Sequence, residues 1–272
     1  MALQPPTRQE NLSVPTSPET APADAATAAP NRPIARPAGR AHDALRPMRF
    51  TPGFTRNAYA SVLVECGGTR ILCAASVEEQ VPRWMAGKGR GWVTAEYDML
   101  PAATGERRRR DARKGKLDGR TIEISRLIGR SLRAVVDMES LGERLVTIDC
   151  DVIDADGGTR CAAISGGYVA LQMACQRLAE EGLIEQSPLM DSVAAVSIGM
   201  LGGEPRLDLE YVEDSVADVD MNLVVTGSGQ LVEVQSSAEG ATFSRAQLDA
   251  MLDLGLAGCE RIRGLQHAAI AG

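Results

Sequence analysis

The segment that begins near Thr159 constrains the fold of this chain most, because its composition requires close packing against other elements. Apolar side chains recur through it at helical spacing, at Ile164, Leu171, Cys175 and Leu178. Between them lie small residues, namely Ala162, Ala163, Gly166, Gly167 and Ala170. Small residues on a helix let a neighbouring element approach closely. We therefore predict a central helix that packs on a sheet.

Strand signals lie on both sides of this helix. Residues 61–66 and 69–74 are β-type runs separated by Gly67-Gly68, a dipeptide that tolerates the positive φ angles of a hairpin turn. Further strands are predicted at residues 92–100, 146–152, 193–201, 206–211, 219–226 and 230–235. Helices are predicted from Asp118 to about residue 138, and after a capping box at Ser244 and Gln247. Hairpins with separate helices indicate an α+β domain with mixed sheets and packed helices, rather than a doubly wound parallel sheet.

Residues 1–40 differ in composition from the rest of the chain. They hold eight of the fourteen prolines and nine alanines, with no aromatic residue and no periodic apolar pattern. Such a segment buries too little apolar surface to offset the entropy lost on ordering. We predict a disordered Pro/Ala-rich extension at residues 1–40 and a single domain at residues 41–272.

Net charge and cysteine content indicate the kind of partner and the cellular compartment to expect for the protein. The formal net charge of −7 argues against generic nucleic-acid binding, because phosphate backbones repel an acidic surface. The six cysteines include no C-x-x-C pair, which indicates reduced thiols in a cytoplasmic protein. No run approaches the roughly 18 apolar residues of a membrane span, and no secretory signal is evident. We expect a soluble, cytoplasmic protein.

A basic run at residues 106–116, E-R-R-R-R-D-A-R-K-G-K, stands out in this acidic chain with seven cations and two anions. One interpretation is a solvated, flexible loop. The other is a contact with the RNA backbone, because consecutive guanidinium groups can bond phosphate oxygens in pairs.

The segment D-A-D-G-G-T-R, from Asp154 to Arg160, lies between a predicted strand and the central helix. Free backbone N–H groups and the helix dipole favour an anion there, and Thr159 and Arg160 can donate to phosphate oxygens. Arg120, at the start of the preceding helix, could supply a second guanidinium if the two helix starts converge. The alternatives are an ordinary turn with an N-cap and a surface arginine.

The acidic segment from Leu207 to Asn222 suggests a metal site. Asp214 and Asp220 are the candidate ligands for Mg²⁺, with phosphate oxygens and waters completing the coordination. Mn²⁺ suits the same oxygen ligands. The alternative is an acidic, solvated edge of a sheet.

Other chemistries lack their usual residues. The two histidines, His42 and His267, lie near the ends of the predicted domain, so a histidine general base is not expected. No G-x-S-x-G elbow occurs, and no cysteine has a histidine partner nearby in sequence, which argues against acyl transfer. Residues 86–89 are not a P-loop, because neither Ser nor Thr follows Lys88, so ATP use is not indicated.

Together these segments resemble the RNase PH family of phosphorolytic exoribonucleases across nearly all of residues 41–272. The matching motifs include R-P-M-R-F-T-P-G-F-T from Arg46, K-G-R-G-W-V-T-A-E-Y-D-M-L-P from Lys88, G-R-T-I-E-I-S-R-L-I-G-R from Gly119, D-C-D-V-I-D-A-D-G-G-T-R ending at Arg160, and Y-V-E-D-S-V-A-D-V-D-M-N from Tyr211. The chain departs from the family pattern at Ser236-Ser237, where Gly-Thr is expected.

The resemblance implies a function, a fold and an assembly. The enzyme would trim the 3′ ends of tRNA precursors and other RNA, using inorganic phosphate and releasing nucleoside diphosphates, and could run in reverse to add nucleotides. The fold would be that of RNase PH, like domain 2 of ribosomal protein S5, in a homo-hexamer built as a trimer of dimers.

The resemblance also implies roles for individual residues. Those implied to bind phosphate are Arg120, Gly158, Thr159 and Arg160. Asp214 and Asp220 would serve the metal and catalysis. Arg107 and Arg110 match positions at which the family contacts tRNA, with a register uncertain by one residue in the run of four arginines.

Two rival functions remain at this point. A catalytically silent RNA-binding subunit of an exosome-like ring could keep the fold and basic surface while losing phosphate or metal residues, whereas this chain has Arg120, Thr159, Arg160, Asp214 and Asp220 together. A small-molecule nucleotidyltransferase would need a nucleotide-triphosphate cradle, and the sequence has no such motif.

Overall fold

The computed structural model describes residues 36, 39–110, 115, 118–238 and 242–272. Within them the strands are β1 Met48–Pro52, β2 Ala60–Cys66, β3 Thr69–Glu78, β4 Trp92–Met99, β5 Leu145–Asp154, β6 Val193–Leu201, β7 Glu204–Leu207, β8 Val219–Thr226 and β9 Leu231–Ala238. The helices are α1 Gly119–Arg133, α2 Met138–Leu141, α3 Thr159–Glu180, α4 Tyr211–Asp214 and α5 Arg245–Ala271.

The first sheet has the strand order β1-β2-β3-β5-β4, and only β4 and β5 pair in parallel. Its β2–β3 hairpin turns at Gly67, where φ is 56°, and Cys66 pairs with Thr69 across the turn. The predicted hairpin is therefore confirmed. A parallel pair within an antiparallel sheet also confirms the predicted mixed sheet and the α+β class.

The second sheet has the order β7-β6-β8-β9 and is antiparallel throughout. Every residue of β6 from Val193 to Leu201 is buried, because α3 and α5 both pack against this strand. A strand covered in this way reads as a continuous apolar run rather than as an alternation. This accounts for the apolar character of residues 193–201, whose predicted bounds match β6.

The predicted central helix is α3, and it contacts strands of both sheets. Every residue from Cys161 to Leu171 is buried. Gly166 lies against Val64 and Cys73 of the first sheet. On the other side, the Ser165 hydroxyl bonds the backbone of Ala195 in β6. The small residues therefore let α3 approach two sheets, where the sequence indicated one.

The outer helices follow their apolar stripes. Helix α1 buries Ile124, Leu127, Ile128 and Leu132, and packs on β4. Helix α5 starts with the predicted capping box, in which both reciprocal bonds between Ser244 and Gln247 are present. Among the described helices, none combines the length and apolar character needed to cross a bilayer.

Two predicted elements have different bounds in the structure. The helix predicted to residue 138 ends at Arg133, and a separate short helix starts at Met138. The strand predicted at residues 206–211 is wrong beyond Leu207, because Asp208 has a φ of 55° and α4 follows. A positive φ on a non-glycine residue ends the strand, and long-range contacts hold it in place.

The predicted extension of residues 1–40 lies mostly outside the described residues. Of its described members, Arg36 and Arg40 have side chains only 1% and 10% exposed, and both form ion pairs with Glu213. These two arginines lie against the fold, although their sequence context is rich in Pro and Ala.

The two adjacent glycines of α3 provide a test of this packing. A Cβ on Gly166 would lie 2.2 Å from Val64 Cγ2, whereas a Cβ on Gly167 would have its nearest neighbour, Ile148 Cγ2, at 3.4 Å. We expect Gly166→Ala to lower the free energy of unfolding by about 1–3 kcal/mol. Gly167→Ala should leave it unchanged or raise it by up to about 1 kcal/mol, because alanine favours the helix. Denaturant unfolding measures both, and equal losses would contradict the close approach at Gly166.

Candidate active site

The predicted phosphate and metal residues, which lie at the ends of α1, α3, α4 and β8, converge on one cavity of about 740 Å³. Its walls come from the loop after β4, the start of α1, the β5–α3 loop, α4 and β8. The lining residues are Met99, Thr104, Gly105, Glu106, Arg108, Arg120, Ala155, Gly157, Gly158, Thr159, Arg160, Ser197, Tyr211, Asp214, Asp220 and Asn222. All six of the predicted phosphate and metal residues are among them.

The β5–α3 loop presents a helix N-terminus to this cavity. Gly157 and Gly158 have φ angles of 76° and 65°, and Gly158 is the N-cap of α3. A Cβ on Gly157 would lie 2.6 Å from the Leu209 carbonyl oxygen, so this loop requires glycine for space as well as conformation. The first N–H groups of a long helix favour an anion at this position.

Thr159 is fixed by a tyrosine that the sequence did not reveal. The Tyr97 hydroxyl donates to Thr159 Oγ1 over 2.9 Å. Burial raises the pKa of Tyr97 above its ordinary value, which keeps the hydroxyl protonated as the donor. The Thr159 hydroxyl accepts this bond, and its own proton can therefore point to a ligand.

Two arginines bring positive charge to the same wall. Arg120 is exposed in the first turn of α1. Arg160, in the first turn of α3, donates to Gln235 Oε1 over 2.8 Å and lies 3.6 Å from Glu123 Oε1. The starts of α1 and α3 therefore converge, as the sequence allowed but could not establish. Two guanidinium groups beside helix N-termini suit a phosphate.

Asp214 and Asp220 form the acidic side of the cavity. Asp214 ends α4, and Asp220 lies on β8. Burial raises the pKa of Asp220 to about 6, and the nearby Asp214 carboxylate adds to the rise. A divalent cation between two such carboxylates would relieve their repulsion, so the pair fits Mg²⁺ or Mn²⁺. No group of three or more His, Cys, Asp or Glu within the described residues could hold a metal ion, so further ligands would come from phosphate and water.

A buried ion pair joins the two sides of the cavity. Asp208 accepts from the backbone N–H of Arg46 at 2.7 Å and from its Nε and NH2 groups at 3.1 and 2.7 Å. Arg46 also donates to the carbonyls of Asp156 and Gly157 in the β5–α3 loop. Burial opposes ionisation of Asp208, but the bonds from Arg46 hold its pKa below the ordinary value. Arg46 therefore connects the β5–α3 loop to the segment that leads into α4.

One arginine of the basic run, Arg108, lines the cavity. It lies 3.6 Å from Asp118, whereas Arg107 and Arg110 are exposed and outside the lining. Burial and Asp98 raise the pKa of Asp151, and Arg110 opposes that shift, which places Arg110 near β5. Residues 111–114, 116 and 117 of the basic run lie outside the described residues.

Several lining residues were not predicted. Ser197 on β6 accepts from the Leu209 N–H, and Asn222 on β8 donates to Asp220 over 3.4 Å. Single polar residues within apolar strands gave no signal of their own. Asn222 is the exception, because it ends the motif that contains Asp214 and Asp220.

Known proteins match this chain along most of its length. The model described as "3′ exoribonuclease family, domain 1" matches residues 44–175, and the model for domain 2 of that family matches residues 191–258. A protein named Ribonuclease PH from Syntrophomonas wolfei is 55% identical over 235 residues, which are 86% of this chain and 98% of that relative. Another of that name, from Corynebacterium efficiens, is 56% identical over 232 residues, 85% of this chain and 95% of the relative.

Solved structures show the same fold at low identity. A chain of the Archaeoglobus fulgidus exosome with RNA bound to the active site has a TM-score of 0.71 at 22% identity, with 83% of this chain and 90% of that chain covered. Rice Rrp46 has a TM-score of 0.69 at 19% identity, covering 85% and 98%. These two likenesses concern the fold alone.

The raised pKa of Asp220 predicts a pH-dependent effect of Asp220→Asn in metal-free protein. Because the folded-state pKa is about 6 rather than 3.8, the neutral carboxyl stabilises the fold at low pH, and this contribution is lost as the pH rises through 6. Asparagine stays neutral, so the free energy of unfolding of the variant should exceed that of wild type by about 1 kcal/mol at pH 8 and should equal it near pH 4.

Thermal unfolding in EDTA at the two pH values measures this difference. Asp253→Asn, on the exposed face of α5, is the matched control and should change stability little at either pH. An equal gain at both pH values would show that the charge on Asp220 is not the cause.

Proposed function

The chain belongs to the RNase PH family of 3′ exoribonucleases, and we propose that the cavity described above carries out the family's reaction through the residues that line it. The protein is a phosphorolytic 3′-to-5′ exoribonuclease of tRNA processing. One observation carries the assignment of the site: two helix N-termini with Arg120, Thr159 and Arg160 face a pair of carboxylates across a single cavity.

Inorganic phosphate binds at the positive wall in this proposal. Arg120 and Arg160 supply guanidinium donors, Thr159 its hydroxyl, and Gly158 close approach to the backbone at the start of α3. Phosphate is already anionic near neutral pH, so the protein has to position it and neutralise its charge rather than deprotonate it. This suits a cavity whose basic groups are arginines.

The reaction breaks the bond between the last phosphorus and the 3′ oxygen of the preceding nucleotide. A phosphate oxygen forms the new bond to that phosphorus, which yields a nucleoside diphosphate and RNA shortened by one residue. The proton needed by the leaving 3′ oxygen is balanced by the one that hydrogen phosphate brings. Reversal of the same step adds a nucleotide.

Asp214 and Asp220 hold a divalent cation in this proposal, Mg²⁺ or alternatively Mn²⁺. When bound, the cation would neutralise charge on the phosphate oxygens at the reacting phosphorus. Asn222 donates to Asp220 and so orients its carboxylate. The raised pKa of Asp220 supports this role, because a cation stabilises the ionised form that burial and Asp214 disfavour.

RNA reaches the cavity past the arginine run in this proposal. Arg108 lies at the cavity, and Arg107 and Arg110 are exposed nearby, so the three can contact successive phosphates.

Repetition of the run in a homo-hexamer, a trimer of dimers, would concentrate positive charge despite the net charge of −7. Exposed apolar side chains at Val212 and Val216 support burial in such an assembly. The six free cysteines suit the cytoplasm.

The rival function as a silent ring subunit is disfavoured. Such a subunit has no reason to keep phosphate and metal residues together, yet all six line one cavity. The small-molecule nucleotidyltransferase is likewise disfavoured by relatives named Ribonuclease PH at 55–56% identity over most of the chain.

Phosphorolysis can be tested with a tRNA that carries a few extra 3′ nucleotides, with Mg²⁺ and with or without inorganic phosphate. We expect release of nucleoside diphosphates only with phosphate, and a loss of about a hundredfold or more in kcat for Asp220→Asn. Chromatography of the products measures both. Asp218→Asn, two residues away and bonded to the Gly202 N–H, should keep wild-type activity.

Two outcomes would contradict the proposal. Nucleoside monophosphates formed without phosphate would indicate a hydrolase. RNA binding with no product would indicate a silent subunit.

Salt dependence tests the arginine run. Replacing Arg107, Arg108 and Arg110 with Gln should weaken RNA binding. It should also make the plot of the logarithm of the binding constant against the logarithm of the salt concentration less steep by about 2, because each lost phosphate contact removes roughly 0.7 from the slope. Fluorescence anisotropy with labelled single-stranded RNA measures the slope. Arg245→Gln, whose side chain is 82% exposed on α5, is the control and should leave the slope unchanged. An unchanged slope in the triple variant would exclude the run from RNA binding.

A further inference from the structure

Helix α4 carries Asp214 but is only four residues long, from Tyr211 to Asp214. A helix of one turn has little stability of its own, so contacts from elsewhere must hold it. Its one buried residue is Glu213, directly before Asp214. The partners of Glu213 therefore help to determine where α4 lies, and with it the Asp214 carboxylate.

Arg36 is the principal partner of Glu213. Its Nε donates to Glu213 Oε1 over 2.9 Å, and its NH2 group donates to Glu213 Oε2 over 3.3 Å. The two side chains are 1% and 0% exposed. A buried, two-point guanidinium–carboxylate contact fixes orientation as well as distance.

The same guanidinium is anchored to the backbone that leads into α4. NH2 donates to the carbonyls of Leu207 and Asp208 over 2.5 and 3.2 Å. NH1 donates to the carbonyls of Ala41 and His42 over 2.7 and 3.1 Å. Arg36 thus connects the end of β7, the turn at Asp208 and α4 in one contact.

Glu213 has two further cationic neighbours, each of which bonds one of its carboxylate oxygens. Arg40 NH2 lies 3.1 Å from Oε2, and Arg206 NH1 lies 3.5 Å from Oε1. Glu213 also accepts from the Glu210 N–H as part of the α4 capping box. Only Arg36 among these three arginines bonds both carboxylate oxygens and the preceding backbone.

We propose that Arg36 is a positioning residue for the metal side of the cavity, which acts through Glu213 to place the Asp214 carboxylate and so sets the affinity for the divalent cation. The proposal rests on the assignment of Asp214 and Asp220 to the metal. Arg36 does not line the cavity. Arg36 and Arg46 both bond Asp208, but Arg46 also bonds the β5–α3 loop on the phosphate side, whereas Arg36 bonds Glu213.

The test uses Arg36→Met and Arg36→Lys in the full-length chain. Mn²⁺ binding without RNA or phosphate is followed by the electron paramagnetic resonance signal of free Mn²⁺. The KM for phosphate is measured separately at saturating Mg²⁺. We expect Arg36→Met to weaken Mn²⁺ binding by about 10-fold or more, which is typical of the loss of a residue that orients a metal ligand without touching the metal. The KM for phosphate should change less than about twofold.

Arg36→Lys should have a smaller effect in the same direction, because lysine keeps the charge but loses the fork. Glu213→Gln should also weaken Mn²⁺ binding, and the double variant with Arg36→Met should add little to either single change. Arg245→Met, in an exposed ion pair on α5, controls for the substitution itself. If Arg36→Met cannot be purified, Arg36→Lys and Glu213→Gln decide by the same criterion.

Mn²⁺ binding within twofold of wild type would overturn the proposal. A fall in Mn²⁺ affinity accompanied by an equal rise in the KM for phosphate would also overturn it, since that pattern indicates general destabilisation of the site. Wild type and Asp220→Asn are run alongside. If Asp220→Asn binds Mn²⁺ as tightly as wild type does, the assignment of the metal to Asp214 and Asp220 fails. If Asp220→Asn loses Mn²⁺ binding but the Arg36 variants bind Mn²⁺ as wild type does, only the role of Arg36 fails.

Discussion

The burial of α3 against both sheets is the constraint on which the other elements depend. Gly166 and its small neighbours let the helix lie close to β2 and β3, and Ser165 bonds β6 on the other side. Because α3 is held along its length, its first residue, Thr159, has a fixed place beside Tyr97 of β4. The phosphate side of the cavity is thus a product of core packing, and rigid elements position such sites more accurately than free loops do.

The acidic side depends on a different kind of interaction. It lies on a one-turn helix and a strand end, and buried arginines hold it in place. Arg46 reaches Asp208 and the β5–α3 loop, while Arg36 reaches Glu213. Breaking a buried pair leaves an uncompensated charge, so these contacts give a defined geometry that apolar packing alone would not. Core packing and ion pairing therefore meet at the cavity, one on each side.

Local patterns in the sequence predicted the parts of the fold that depend on neighbours in sequence. The Gly67-Gly68 hairpin and the Ser244 capping box are confirmed because short-range bonds determine them. The turn at Asp208 and helix α4 were missed, since the partners that stabilise them lie 162 and 177 residues away. Residue chemistry suggested the phosphate and metal residues of the cavity, and the resemblance to a known family favoured that interpretation over an ordinary turn and an acidic sheet edge. Their convergence, and the place of Arg108, needed the structure.

The Arg36–Glu213 contact has a consequence for the order in which the molecule is completed. Arg36 leaves the ribosome well before Glu213 is synthesised, and 177 residues separate the two. Closing so long a loop costs more entropy than closing a short one, and the contact must follow translation of β7 and α4. The hairpin of β2 and β3 can form while the chain is still growing, whereas the metal side of the cavity cannot. Catalytic competence is therefore among the last properties that a nascent chain acquires.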